Sequence, residues 1–161
     1  MTYKTSLDNL AKIVTVSLTV IFATIIILQI TLISDGENRS PIFTMLALLI
    51  IYFGTFSFRP IGYTLSEKGL TIHRPLVNVT IPKNEIKSVN RLTKNELSWT
   101  VRTFGVGGLF GYFGKFSNYK LGSMTWYATK RKENMVLVTT INDHKIVLSP
   151  NDADKFITEF S

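Results

Sequence analysis

The chain has 161 residues, a net charge of +7 from 18 Lys and Arg against 11 Asp and Glu, and no cysteine. The last point excludes a disulfide framework and any thiolate site, and fits a reducing compartment. The charge is uneven, with +1 over residues 1–12, −1 over 34–41 and +7 over 59–161, so the excess lies in the last hundred residues. No recognition helix, zinc motif or RNA-binding signature accompanies it, and nucleic acid is not an expected partner.

From Ile13 to Ile33 the chain carries 21 residues without charge, and from Ile42 to Phe58 another 17. As helices these runs measure about 32 and 26 Å, enough to cross a bilayer core. The first run outlasts the core of a secretory signal, and no small-x-small cleavage site precedes the second, so an uncleaved anchor is expected. Residues 13–58 thus read as a transmembrane hairpin with spans 13–33 and 42–58, turning through the polar stretch Ser34–Pro41. Lys4 and Lys12 precede the first span, Arg59, Lys68 and Arg74 follow the second, and the connection holds only Arg39. This bias puts both termini in the cytoplasm, with residues 1–12 as a cytoplasmic lead and the inner membrane as the location. Ser17, Thr24 and Thr31, and Ala47 with Gly54, recur every seven residues and predict a close helix–helix seam. Gln29 is read as a bond to the neighbouring helix or a place near the interface.

Beyond Ile61 the pattern changes to short alternating runs between turns, which predicts an antiparallel sheet. Strands are expected at Gly62–Ser66, Leu70–Arg74, Leu76–Ile81, Lys87–Leu92, Glu96–Phe104, Ser123–Lys130, Met135–Thr140 and Lys145–Leu148, with one helical turn at Lys83–Ile86. A last helix is expected with Ser149 as its cap, Pro150 in its first position, and Ala153, Phe156, Ile157 and Phe160 as its apolar stripe.

Three stretches carry a resemblance: Tyr63–Ile72, reading YTLSEKGLTI, Ile81–Val89, reading IPKNEIKSV, and Val147-Leu148-Ser149-Pro150 before the final helix. With Arg102–Tyr112 they make residues 61–161 similar to the bacterial pleckstrin-homology (PH) domains. The resemblance implies a mainly-β, PH-like barrel or sandwich of about seven strands plugged by a C-terminal helix, often attached to membrane helices, here residues 59–161. It implies no shared enzymatic activity. Lipid-binding members of the wider superfamily hold phosphoinositides with basic residues around the first strand loop. The matching turn here, Glu67-Lys68-Gly69, offers one lysine beside a glutamate, and no inositol-phosphate site is carried over.

The stretch Phe104–Gly122 holds six glycines among six aromatic residues. It lacks the dinucleotide fingerprint, because Phe110 stands where the third glycine belongs, and the phosphate loop, because Phe116 follows Gly114-Lys115. Two readings stay open. One is a long inter-strand excursion whose aromatics fold back on the domain. The other is an interaction surface of Leu109, Phe110, Tyr112, Phe113, Lys115, Phe116 and Lys120 that meets a protein partner, a second copy or the bilayer interface. Lys130, Arg131 and Lys132 form a basic patch at a hairpin tip, with Lys83, Lys87, Arg91 and Lys94 on another segment, and either group could touch anionic lipid headgroups. His73 and His144 have no partner at ligand spacing, so no metal, cofactor or catalytic residue is assigned. The expected function is a membrane-anchored, non-catalytic binding or scaffold module, with an anionic-lipid sensor or an accessory subunit of a membrane complex as the alternatives.

Overall fold

The computed structural model describes residues 1–34 and 40–160, apart from the side chains of residues 32–34 and 40. The polar connection between the apolar runs falls mostly outside them. Helix α1 runs from Asn9 to Ser34 and α2 from Ser40 to Phe58. Their apolar windows are 0% and 6% buried, so neither is the core helix of this protein, and both are long and apolar enough to cross a membrane.

The seam between the helices is not the one the seven-residue spacing predicts. Ser17, Thr24, Thr31 and Ala47 are exposed, whereas Leu18, Thr19, Phe22, Leu48 and Tyr52 are half-buried. The hydroxyls of Thr19 and Tyr52 meet at 3.1 Å, and the rings of Phe22 and Tyr52 lie 6.3 Å apart. Thr24 turns its hydroxyl to the carbonyl of Val20, one turn back. Bulky side chains therefore set the helix contact; Ser17, Thr24, Thr31 and Ala47 face outward, and of the predicted seam residues Gly54 is half-buried. Gln29 is half-buried.

The described residues form ten strands, two more than the eight runs expected from sequence. They are β1 (Thr2–Lys4), β2 (Gly62–Ser66), β3 (Gly69–His73), β4 (Val79–Pro82), β5 (Ile86–Arg91), β6 (Val101–Gly108), β7 (Gly111–Asn118), β8 (Gly122–Ala128), β9 (Val136–Thr140) and β10 (Lys145–Leu148), and helix α3 (Ala153–Phe160) ends the chain. A 3₁₀ turn at Lys83–Glu85 occupies the predicted helical turn. The strands form a four-stranded sheet, β1-β2-β3-β4, and a six-stranded sheet, β5-β9-β10-β8-β7-β6. The fold is a sandwich, and the barrel alternative is corrected: the two sheets do not pair into a closed cylinder. All pairings are antiparallel except β10 with β8.

Strand β1 was not expected, because three residues ahead of an apolar run show no period. It pairs with β2 through Tyr3 and Tyr63, so residues 2–4 belong to the sheet. Tyr3, Tyr63, Leu65, Leu70 and Ile72 meet Val136, Val138 and Leu148 across the sandwich, and Phe156 of α3 closes that core. The six-stranded sheet is apolar on both faces: alternate residues Tyr112, Phe116, Met124, Trp126, Leu137 and Val147 point away from the sandwich. Leu7, Ala11, Leu92 and Leu97 cover this second face, so the start of α1 and the link from β5 to β6 are part of the core. Helix α3 begins later than predicted. Asp152 accepts the amide of Lys155 at 3.0 Å and acts as its cap, while the hydroxyl of Ser149 accepts the amides of Thr129 and Lys130.

Candidate interaction surface

The glycine-rich stretch is a hairpin and not a loop. Strands β6 and β7 pair from Val101 opposite Ser117 to Gly108 opposite Gly111, leaving Leu109 and Phe110 as a two-residue turn. The strands come close where Gly105 faces Gly114: a Cβ on Gly105 would lie 2.3 Å from the carbonyl oxygen of Phe113. Phe110 sits at φ +58°, a conformation that costs a non-glycine residue about 1–2 kcal/mol. Its surroundings hold it there. The ring lies 5.1 Å from Tyr52 and 5.4 Å from Phe56, with the Arg59 guanidinium 5.6 Å away, and its amide donates to Thr15 Oγ1 at 2.9 Å.

A second tie lies at the foot of α1. Asp8 caps the helix by accepting the amide of Ala11 at 2.8 Å. The same carboxylate accepts the hydroxyl of Tyr112 at 3.2 Å and the amide of Arg131 at 3.0 Å, joining α1 to β7 and to the segment after β8. Burial, and then the charge and hydrogen bond of Asp8, push Tyr112 up to about 12.

Of the two readings open for this stretch, the burial agrees with aromatics folded back on the domain and corrects the interaction surface. Leu109, Phe110, Tyr112, Phe113 and Phe116 are all buried, because the turn packs on the helix pair while Tyr112 and Phe116 enter the second core. Lys115 and Lys120 remain at the surface; Lys115 Nζ donates to Thr125 Oγ1 at 2.8 Å and Lys120 Nζ to Asn95 Oδ1 at 2.8 Å. Of the aromatic residues in the stretch, Phe104 and Tyr119 stay exposed.

What lies open is the rim of the wider sheet. The six-stranded sheet outgrows its four-stranded partner, and β6 is its edge. The register slips between Arg102 and Phe104, and this bulge puts Val101 and Phe104 on one face, opposite Ser117 and Lys115. With Trp99 just before the strand they form an apolar strip whose members are 87%, 60% and 78% exposed. A groove of about 600 Å³ lies alongside, between Thr55 and Phe58 of α2 and Phe104, Phe113 and Tyr127 of the sheet. Arg74 stands in it, 5.4 Å from the ring of Phe58 and 5.6 Å from that of Tyr127.

On the opposite side of the strip, a cleft of about 590 Å³ separates the β5–β6 link from the turn after β8. Lys94, Leu97, Trp99, Trp126, Arg131 and Lys132 line it, so it brings Arg131 and Lys132 together with Lys94 from the other basic segment. Lys130 points elsewhere, donating to Asn151 Oδ1 at 3.0 Å. The strand expected at Glu96–Phe104 forms only over its last four residues, Val101–Phe104, which open β6. Residues 94–99 form turns, held by the hydroxyl and amide of Thr93 on the carboxylate of Glu96, which keep that carboxyl below its usual range. Sequence reasoning passed over Asp8, Trp99 and Trp126. The first is readable as a helix cap one residue before α1, whereas the cleft depends on residues that only the fold brings together.

His73 Nε2 lies 2.7 Å from Thr64 Oγ1 on the paired strand, and no group of three metal-ligating side chains occurs among the described residues. Comparison with curated proteins and with solved structures finds no match. The profile of the family described as "Bacterial PH domain" matches residues 61–161, from just before β2 through α3, and leaves β1 and the two long helices outside. By that match, and with the two-sheet sandwich closed by a C-terminal helix, the chain belongs to the bacterial PH domain family.

Proposed function

We propose that the protein is a membrane-anchored, non-catalytic binding module. In this reading α1 and α2 span the inner membrane, both termini are cytoplasmic, and the PH domain is held at the cytoplasmic face by the ties at Asp8 and Phe110. The strip of Trp99, Val101 and Phe104 contacts a protein, either a second copy or another membrane component. One observation carries this: the domain buries most of its aromatic residues yet leaves Val101 and Phe104 on the edge strand, and Trp99 in the turn just before it, exposed. Exposed apolar rows of this kind mark contact sites, and Trp is enriched where binding energy concentrates. The bulge blunts plain backbone pairing along β6, so the contact rests on side chains. A photocrosslinking amino acid in place of Phe104, activated in intact bacterial membranes, tests it. The expected result is a discrete protein adduct, at twice the protomer mass for self-association. Crosslinks to lipid alone refute it.

The anchor reading also draws on the fold. Cleavage after the first apolar run would remove β1 and Asp8, which are built into the domain. A second reading rests on the groove beside α2. Its apolar wall continues the surface of a helix read as membrane-spanning, and Arg74 and Lys115 line it, a combination suited to an anionic phospholipid. Native mass spectrometry of protein released from phosphatidylglycerol nanodiscs should show retained lipid that Arg74→Glu with Lys115→Glu removes. Equal retention by this variant refutes the reading.

A further inference from the structure

We infer that the cleft beside Trp99 takes a carboxylate-rich segment of the protein partner, with an apolar residue of that segment covering the Trp99 ring. The inference rests on the protein-contact reading above and names the chemistry of the partner. Charge is the first observation. Lys94, Arg131 and Lys132 line the cleft, no carboxylate lines it, and the two ion pairs among the described residues, Met1 with Glu159 and Arg91 with Asp154, use none of the three. The acid nearest in sequence to Lys94, Glu96, has its carboxylate occupied by Thr93.

The second observation is a donor without an acceptor. Trp126 lines the cleft and is almost wholly buried, with its ring stacked on Phe116 at 4.5 Å. Among the described residues its Nε1 has no hydrogen-bond partner. Nε1 is itself closed to solvent, so an acceptor in the cleft reaches it only where the wall shifts, and a carboxylate is a group that offers only acceptors. Trp99 supplies the third. It sits at φ +58° and exposes the largest apolar side chain of the chain to water, two costs that the fold does not repay. A small anion would satisfy the cations and the indole but leave Trp99 bare. A peptide supplies both parts, and the strip continues from Trp99 into Val101 and Phe104, along which such a segment would run.

The test uses the full chain in phosphatidylcholine nanodiscs and fluorescence anisotropy of a labelled hexapeptide alternating leucine with pairs of glutamate, against its glutamine counterpart. Saturable binding of the glutamate peptide, at least tenfold tighter than the glutamine form, is expected. Arg131→Glu with Lys132→Glu, both at exposed positions, should weaken it at least tenfold. Trp126→Phe removes the donor together with part of a buried indole, so it should lower the melting temperature, and, measured where the variant is still folded, should weaken binding about threefold or more. The inference is overturned by no binding of the glutamate peptide, by equal binding of the glutamine peptide, or by no effect of charge reversal. It is also overturned if inorganic phosphate or polyuridylate displaces the peptide at lower concentration than the unlabelled peptide does. If the crosslink at position 104 persists while these tests fail, the protein-contact reading stands and this inference alone falls; loss of both removes both.

Discussion

Replacing Phe110 by alanine should loosen the domain from its helices while leaving the domain folded. The ring is 6% exposed and packs edge-on against Tyr52 and Phe56, and neither two-sheet core includes it. Truncating a buried phenylalanine costs about 3–5 kcal/mol, of which each aromatic pair supplies about 0.5–1.5. Taking the lower end, because the turn lies at a joint that can relax, about 3 kcal/mol is a factor of about 100 in the local opening equilibrium. The reporter is built in: the amide of Phe110 donates to Thr15 Oγ1, so it exchanges with solvent only when the turn lifts from α1. Hydrogen exchange of the full chain in nanodiscs should therefore show the peptide over residues 106–112 exchanging about 100-fold faster in Phe110→Ala. Phe110→Leu, which keeps most of the volume, should give about tenfold. Peptides from β9 and β10 should not change. Unchanged protection at the turn would show that it is not docked on the helices; equal loss in β9 and β10 would show that joint and domain open as one unit.

Asp8→Ala removes the cap of α1 and leaves the Arg131 amide and the Tyr112 hydroxyl without their acceptor, so it should destabilise the chain by about 1–2 kcal/mol in a denaturant titration. In the same variant Tyr112 should titrate below its native value of about 12, read as tyrosinate absorbance; an unmoved titration refutes the assigned contact. Alkaline pH should weaken the native protein in a defined window. Burial, and then the hydrogen bond to Glu159, push Tyr3 up to about 12, and Tyr112 is raised to the same range. The unfolded phenols release protons near pH 10 while the folded ones hold theirs, so this stability is complete below pH 10 and lost between pH 10 and 12. Denaturation midpoints at pH 8, 10 and 11.5 should fall only at the last, and a flat series refutes the reading.

Much of the architecture was legible because it depends on period and length. The two apolar runs, strands β2 and β10, and the stripe of α3 fall where sequence places them. The hairpin of β6 and β7 was hidden for a physical reason. Its turn, Leu109-Phe110, has none of the usual turn formers, and Phe110 holds its left-handed conformation through contacts with Tyr52, Phe56 and Thr15, more than fifty residues distant. Its glycines served close strand approach and not a loop. The helix seam failed similarly: small residues at a seven-residue spacing permit close packing, but Tyr52 reaching Thr19 decided which face turned inward.

The same burial changes what the conspicuous stretch is for. Phe110 and Tyr112 were candidates for holding a partner because they are aromatic and flanked by glycine, and both prove to hold the protein's own helices, one through Tyr52 and Phe56 and the other through Asp8. With ties at the foot of α1 and at the last turns of α2, the domain is braced against the helix pair at two points, and in the proposed topology that packing would set its orientation to the bilayer. A braced domain need not grip the membrane to stay near it. What it can offer is a fixed surface, and the exposed rim from Trp99 to Phe104 with the cationic cleft beside it is one such surface. If α1 and α2 span the membrane as proposed, charge there serves recognition better than recruitment, because two membrane-spanning helices would already supply the recruitment.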